Sequence, residues 1–183
     1  LSDYSHPCQA LADLLTIYEK KGKTKRVRVA YVGDGNNVAH SLIYTCSRMG
    51  IALSMAVPEG YDPDPAVVER GKKDAAGGGT EFIIYRRPED AVCGADVVYT
   101  DVWVSMGMEK ESGDRAAAFS GYMVDTKLMG LAKPDAIFMH DLPAHRNEEV
   151  HPSVIEGPQS VVFDQAENRL HAQKALLTLL VGR

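Results

Sequence analysis

The sequence predicts an α/β fold in which a parallel sheet of about five strands carries helices on both faces. Short apolar, β-branched runs alternate with segments of helical periodicity along most of the 183 residues. Glycine, proline and asparagine stand at many of the boundaries between these segments. A strand that returns parallel to its neighbour needs a crossover connection, and the intervening helices supply one.

The predicted strands are apolar runs that end at turn-forming residues. They cover residues 27–32, 51–57, 81–85, 96–100 and 136–139. Helices are predicted over residues 7–18, 38–49, 65–77, 88–93, 122–131 and 165–180, with a short apolar segment at 161–163 leading into the last of them. Residues 101–120 are polar and lightly patterned, so we predict a long functional loop there. The arrangement is Rossmann-like.

The composition is that of one globular domain. The chain has 20 Lys and Arg against 25 Asp and Glu, a net charge of −5, and 45% hydrophobic residues. This balance argues against nucleic acid as a partner, and no apolar run is long enough for a membrane span. The three cysteines, Cys8, Cys46 and Cys93, are odd in number and form no CxxC pair. They predict free thiols in a reducing compartment: the cytoplasm, or a plastid or mitochondrial matrix in a eukaryote.

Three polar clusters directly follow predicted strands, at residues 34–37, 101–107 and 140–143. In an open parallel sheet, ligands bind at the carboxyl ends of the strands. We therefore expect the three clusters to meet along one rim and to form the functional site.

The first cluster contains Gly33-Asp34-Gly35-Asn36-Asn37. It begins like the dinucleotide fingerprint G-x-G-x-x-G, but Val38 replaces the third glycine. Two other interpretations remain open. The segment is either a tight turn with Asn36 or Asn37 as a helix cap, or a rim site in which an asparagine amide contacts a small polar ligand.

In the second cluster, Asp101 follows an apolar strand and lies close to the chain's one tryptophan, Trp103. A carboxylate at that position suits an ammonium group of a ligand. The alternative is a structural anchor in which Trp103 packs and Asp101 caps a turn.

The third cluster is His140-Asp141-Leu142-Pro143, with further histidines at 145 and 151. A rim site, surface histidines, and metal ligation by His140, Asp141, His145, Glu148 and His151 are all open, although the spacing fits no zinc pattern. Elsewhere, His6 and Gln9 at the start of the first helix suit an anion, as does Arg169 in the last helix. For Arg169, an ordinary salt bridge is equally open.

Taken together, these segments resemble the ornithine carbamoyltransferase family. HPCQ at residues 6–9 resembles its HPxQ motif, and GDGNN at 33–37 its turn of the same sequence. DVWVSMG at 101–107 resembles its DxWxSMG loop, HDLP at 140–143 its HCLP, and ENR at 167–169 its last-helix motif. The family transfers the carbamoyl group of carbamoyl phosphate to the δ-amine of L-ornithine, which gives L-citrulline and phosphate and serves arginine biosynthesis.

The resemblance implies a role for each matching residue, with His6, Asp141 and Arg169 at the reaction centre. The implied carbamoyl phosphate site is made of His6, Gln9, Asp141, Leu142 and Arg169. The implied ornithine site is made of Asn37, Asp101, Ser105 and Met106. Asp101 would take the α-ammonium group, and the backbone carbonyls at Asp141 and Leu142 would take the carbamoyl nitrogen. No cofactor and no metal is implied.

The chain departs from the family pattern in two ways. Asp141 stands where the family has cysteine, so it adds charge, size and desolvation cost beside the ornithine site. The Ser-x-Arg-Thr phosphate loop of the family's first domain does not occur. We therefore expect residues 1–183 to be the second, ornithine-binding domain, incomplete without an N-terminal carbamoyl phosphate domain. The resemblance also implies a homotrimer, or a multiple of trimers, for the complete protein. Two alternative functions remain open: an NAD-binding dehydrogenase domain, which depends on Gly33-Asp34-Gly35, and a non-catalytic module that binds an amino acid.

Overall fold

A computed structural model describes residues 1–22, 24–104 and 112–182. Its centre is a five-stranded, all-parallel sheet with the strand order β3-β2-β1-β4-β5. The strands are β1 (Arg28–Val32), β2 (Ala52–Ala56), β3 (Phe82–Tyr85), β4 (Val97–Thr100) and β5 (Ile137–His140). The predicted fold class is confirmed, and each predicted strand is present within a residue or two of its expected limits.

Helices connect and flank these strands. They are α1 (Pro7–Lys21), α2 (Asn37–Met49), α3 (Pro65–Gly77), α4 (Pro88–Val92), α5 (Ser112–Ala118), α6 (Thr126–Met129), α7 (Pro152–Ile155) and α8 (Val162–Val181). Proline at the first turn favours the start of α1, α3, α4 and α7, since its missing N–H has no helical partner there. Gly22 and Gly50 end α1 and α2 in the left-handed conformation.

The sheet is buried on both faces, as the apolar character of its strands predicts. Along β1, Val29 and Tyr31 pack on one side, with α1, α2 and α3. Ala30 and Val32 pack on the other, with α4, α6 and α7. Helices thus cover both faces, and the strand ends are left as the place where polar groups gather.

Three sequence predictions of secondary structure were wrong. The expected loop at 101–120 contains α5, and the helix expected at 122–131 is only the four-residue α6. The segment at 161–163 was expected to lead into a last helix that begins at 165, but that helix begins at Val162. Pairing overrides helical periodicity in the second case, because Val124 forms a parallel bridge to Val150. No helix in the described part of the chain is long and apolar enough to cross a membrane.

Candidate active site

The candidate site lies at the carboxyl ends of β1, β4 and β5. From β1 the chain continues to β2 on one side, and from β4 to β5 on the other, so the sheet changes direction between β1 and β4. A crevice opens beyond the strands at such a point. The segments that follow β1 and β4 meet there, and the segment after β5 lies next to them.

Asn36 joins two of these segments. Its side-chain oxygen accepts hydrogen bonds from the backbone N–H groups of Val38 and Ala39 at 3.0 and 3.1 Å, so it caps α2. Its amide nitrogen donates to Asp101 Oδ2 at 2.8 Å. Asn37, the predicted ornithine ligand, lies at the first turn of α2 and donates to the backbone oxygen of Ser2 at 2.8 Å.

The glycines of the first cluster serve chain packing. Gly33 has φ +151°, and a Cβ atom on Gly35 would lie 2.2 Å from the backbone nitrogen of Pro63. The N–H of Gly35 donates to the carbonyl of Tyr61 at 2.9 Å. In a dinucleotide fold the open side of this glycine admits the pyrophosphate. Here the chain at residues 61–63 covers it, which is evidence against the NAD alternative.

Asp101 is buried at the end of β4, with 5% of its surface exposed. It accepts hydrogen bonds from Asn36 and from the N–H of Val102 at 2.8 Å. Burial raises its pKa to about 6, an effect that these bonds and nearby His140 partly offset. Trp103 is also buried and stacks on Phe119 with ring centroids 5.5 Å apart. The segment therefore has both the polar end and the anchor that the sequence left as alternatives.

Arg115 holds the same segment in place, and it is not among the residues predicted from the sequence. From α5 its guanidinium reaches Asp34 Oδ2 at 2.7 Å and the carbonyl of Trp103 at 2.8 Å. It also lies over the Tyr61 ring, 5.0 Å from the centroid. The Arg115–Asp34 ion pair is buried. Nothing in the polar sequence around this arginine indicates that it pairs with a residue 81 positions away. Ser105 and Met106 lie outside the described residues.

His6, Gln9 and Arg169 come together although they are far apart in sequence. His6 begins α1, where its N–H donates to Ser41 Oγ at 2.7 Å. Arg169 on α8 donates to Gln9 Oε1 at 2.7 Å. His6 Nδ1 and Arg169 Nε are buried and have no hydrogen-bond partner within the described structure. Burial, together with Arg169, lowers the pKa of His6 to about 4, so its ring is neutral at pH 7.

Asp141 faces this group from the end of β5. Its Oδ2 atom lies 3.6 Å from His6 Nε2. Burial, and then the carboxylate of Asp101, raise the pKa of Asp141 to about 7. Leu142, next in the chain, packs against the core on the α4 side of the sheet. The structure thus brings His6, Asp141 and Arg169 to one place, as the resemblance implies.

The histidines of the third cluster serve the fold. His140 is buried, and its Nε2 lies 3.1 Å from Glu149 Oε1, which also accepts from the N–H of His145. His151 caps α7 by accepting from the N–H of Ser153. The five residues considered from the sequence as metal ligands do not come together in the structure. Only His145 and Glu148 among them belong to a group of possible ligands that lie close to one another. Ligand atoms of His145, Glu148 and Glu149 lie within 4.8 Å of one another, but Glu149 Oε1 already contacts His140 Nε2 and accepts from the N–H of His145.

Comparison with known proteins agrees with this geometry. The family model for the aspartate/ornithine carbamoyltransferase Asp/Orn binding domain matches residues 25–180. The chain belongs to the aspartate/ornithine carbamoyltransferase family. Within that family it corresponds to the domain named for binding aspartate or ornithine.

Individual relatives are similar along the whole chain. An ornithine carbamoyltransferase of Thermococcus kodakarensis is 56% identical over 182 residues, which is 100% of this chain and 58% of the relative. The solved structure of the Pyrococcus furiosus ornithine carbamoyltransferase is 56% identical, with a TM-score of 0.96 over 100% of this chain and 58% of that one. A Giardia lamblia ornithine transcarbamoylase structure is 35% identical, with a TM-score of 0.89 over 97% of this chain and 60% of that one. The chain thus spans less than two thirds of each relative's length.

Proposed function

We propose that this chain carries the ornithine-binding side, and part of the carbamoyl phosphate side, of an ornithine carbamoyltransferase. The observation that supports this most directly is the meeting of two opposite kinds of group on one rim. His6 and Arg169 present N–H donors, which suit a phosphate and a carbonyl oxygen, and Gln9 holds Arg169 by accepting from it. Asp101 presents a buried carboxylate, which suits an ammonium group. A reaction between an acyl phosphate and an amino acid needs both.

On the amino-acid side, Asp101 accepts the α-ammonium group of ornithine, and Asn37 donates to its carboxylate. Asn36 fixes the Asp101 carboxylate by donating to Oδ2, so the acceptor is oriented before the substrate arrives. Ser105 and Met106, which follow Trp103 closely in the sequence, are also assigned to the ornithine site in this proposal.

On the other side, the δ-amine of ornithine attacks the carbamoyl carbon through its lone pair. The carbon–oxygen bond to phosphate then breaks, the phosphate leaves with that electron pair, and the proton lost by the amine passes to the departing phosphate. The neutral ring of His6 donates an N–H to the carbamoyl oxygen as negative charge develops there. Arg169 stabilises the phosphate, Asp141 lies next to His6 at the reacting end, and the carbonyls at Asp141 and Leu142 hold the carbamoyl nitrogen.

The remaining elements of the proposal concern the complete protein. We propose that an N-terminal carbamoyl phosphate-binding domain completes the site, and that the enzyme is a trimer, or a multiple of trimers, in arginine biosynthesis. That the chain matches 58% of its Thermococcus relative supports a further domain. Cys8, Cys46 and Cys93 are unpaired, which favours a reducing compartment such as the cytoplasm.

The test is a citrulline assay on a fusion enzyme, in which residues 1–183 are joined to the part of the Thermococcus relative that they do not cover. We expect citrulline from carbamoyl phosphate and L-ornithine, and no carbamoylation of aspartate or putrescine. The 183-residue chain alone should show little or no turnover. A folded fusion enzyme that makes no citrulline would contradict the proposal, and a nicotinamide cofactor titration with saturable binding would favour the dehydrogenase alternative instead.

A further inference from the structure

A buried carboxyl group lies between the two helices that carry Gln9 and Arg169. Asp13 on α1 is 1% exposed. Its Oδ1 atom accepts hydrogen bonds from Gln9 Nε2 at 3.0 Å and from Gln165 Nε2 at 2.7 Å. Its Oδ2 atom accepts from the hydroxyl of Tyr99 at 3.2 Å. No substrate group assigned above touches Asp13 directly.

The two glutamine amides that meet at Asp13 can each point in only one direction. A carboxylate oxygen accepts hydrogen bonds, so the amide nitrogens face Asp13. Their oxygens then face groups that only donate. Gln9 Oε1 accepts from Arg169 Nη1 at 2.7 Å, and Gln165 Oε1 accepts from the backbone N–H of His140 at 2.9 Å. One acceptor atom therefore determines the orientation of both amides.

We propose that Asp13 is a positioning residue for carbamoyl transfer: through Oδ1 it orients Gln9, which holds Arg169, and Gln165, which holds the end of β5 just before Asp141. This inference rests on the proposed function. It extends it by naming the group that keeps the α1 and α8 residues in register with the segment after β5.

A purely structural role explains Asp13 less well. The same pair of helices has a second polar contact, since Asn168 Nδ2 donates to Thr16 Oγ1 at 3.0 Å and to Glu19 at 2.7 Å. Burial raises the pKa of Asp13 to about 7, although Gln165, Gln9 and Tyr99 all donate to it. The carboxylate is thus costly to keep at this depth. A buried carboxylate that is unfavourable to desolvate, next to residues of the site, indicates a role in orienting them rather than in helix packing.

The kinetic test compares Asp13→Ala with Asp13→Asn in the fusion enzyme. Asn keeps an Oδ1 acceptor, so we expect its kcat and KM values to stay within about fivefold of the parent, because orientation is retained. Ala removes the acceptor. We expect kcat/KM for carbamoyl phosphate to fall about 100-fold, since small misplacements have effects of that size. KM for ornithine should stay within about twofold, since the amino-acid side is held separately.

Two further variants separate orientation from packing. Thr16→Ala, one turn along α1, weakens the other contact between α1 and α8, and should leave kcat and both KM values within about twofold of the parent. Gln165→Met keeps the length of the side chain but removes its hydrogen bond to the end of β5. It should lower kcat at least tenfold if Asp13 acts as proposed. If Asp13→Ala does not fold, Gln165→Met and Asp13→Asn decide the matter.

Hydrogen exchange at the backbone amide of His140 is a measurement that does not depend on turnover. This amide donates a hydrogen bond to Gln165 Oε1. Exchange should accelerate in Asp13→Ala and Gln165→Met, and stay at the parent rate in Asp13→Asn and Thr16→Ala. If the parent fusion enzyme makes no citrulline, the proposed function fails, but the exchange rates still test the orientation. Unchanged kinetics in Gln165→Met, or an Asp13→Asn variant as impaired as a folded Asp13→Ala, would overturn the inference.

Discussion

The two sides of the proposed active site are held in place in different ways. The carbamoyl phosphate side is carried by two long helices, and its residues are joined by hydrogen bonds between amides, a carboxyl group and Arg169. The amino-acid side is carried by the segments after β1 and β4. These are joined by an asparagine cap and by a buried ion pair between Arg115 and Asp34.

This difference indicates which side is prearranged and which depends on charge. Residues one turn apart on a helix are fixed relative to each other by the backbone, so one acceptor is enough to align them. Loop segments have no such internal register. They need an interaction strong enough to offset the entropy of ordering a loop, and a charge-assisted pair out of water provides it. Perturbing the charge pair should therefore affect folding and ornithine binding, whereas perturbing the helical side should affect the reaction itself.

The largest effect on stability is expected for Arg115→Ala. The substitution removes the guanidinium from buried Asp34 and from the carbonyl of Trp103. Breaking a buried pair by removing one partner costs about 3–5 kcal/mol. We expect that loss in the free energy of unfolding, measured by urea denaturation of the fusion enzyme, together with a raised KM for ornithine.

Arg48→Ala is the matched control for this variant. Arg48 pairs with Asp74 at 3.3 Å, but its side chain is 61% exposed, and such surface pairs contribute about 0–1 kcal/mol. If Arg115→Ala lost no more stability than Arg48→Ala, the amino-acid side would not depend on its charge pair, and the contrast between the two sides would be wrong.

Arg169→Ala should have the largest effect on the reaction. Removing a donor to developing negative charge typically lowers kcat about 10²–10³-fold. We expect this loss with a KM for ornithine near that of the parent, since Arg169 contacts the helical side through Gln9. Arg169→Lys should recover only part of the rate, because lysine cannot donate in the bidentate way. Arg146→Ala, which removes an exposed pair with Glu156, is the control.

If Arg169→Ala instead raised KM for ornithine with kcat unchanged, the assignment of Arg169 to the carbamoyl phosphate side would be wrong. Steady-state kinetics with each substrate varied in turn distinguishes these outcomes.

Asp101→Asn tests the amino-acid side. The variant removes a charge-assisted bond to the ammonium group, and we expect KM for ornithine to rise on the order of 10–100-fold. Burial raises the pKa of Asp101 to about 6, so ornithine binding by the parent should weaken as the pH falls through that value. The variant should lack this pH dependence. Asp96→Asn is the matched control, since Asp96 lies just before the opposite end of β4 and bonds the N–H of Arg28. Equal KM values for the two variants would contradict the assignment.

Much of the fold was predictable from local signals. The β-branched strands, the prolines at helix starts and the glycines at helix ends each determine structure within a few residues. In a parallel sheet, ligands bind at the carboxyl ends of the strands, and the polar clusters follow predicted strands in the sequence. Asp101 and Asp141 were therefore expected at one rim. The helix expected at 122–131 failed because Val124 pairs with Val150, a contact that no local pattern shows.

The contacts that hold the site were not predictable in the same way. Arg115 pairs with Asp34, and Asp13 with Gln165, across 81 and 152 positions. Each is a common residue type in an unremarkable local sequence. These contacts become evident only in the folded chain, where each buried polar group needs a hydrogen-bond partner.

The smallest expected effect is that of Asp141→Cys, which lies between the two sides. The carboxyl of Asp141 is close to His6 and is disfavoured in its charged form by burial and by Asp101. Cysteine is smaller and neutral, so the site loses a second negative charge and a group that is costly to desolvate. We expect kcat/KM for ornithine to rise about fivefold, which corresponds to roughly 1 kcal/mol. An unchanged kcat/KM would contradict this.

The stability of the same variant has a definite pH dependence. The pKa of Asp141 is about 7 in the folded protein against an ordinary value of 3.8, so the unfolded chain loses this proton at lower pH. The contribution of the group to stability is therefore complete below pH 4 and is lost as the pH rises through 7. Cysteine does not titrate in that range. The free energy of unfolding of Asp141→Cys relative to the parent should rise steadily from pH 4 to pH 7, and a flat difference would show that Asp141 is hydrated and not a constrained member of the site.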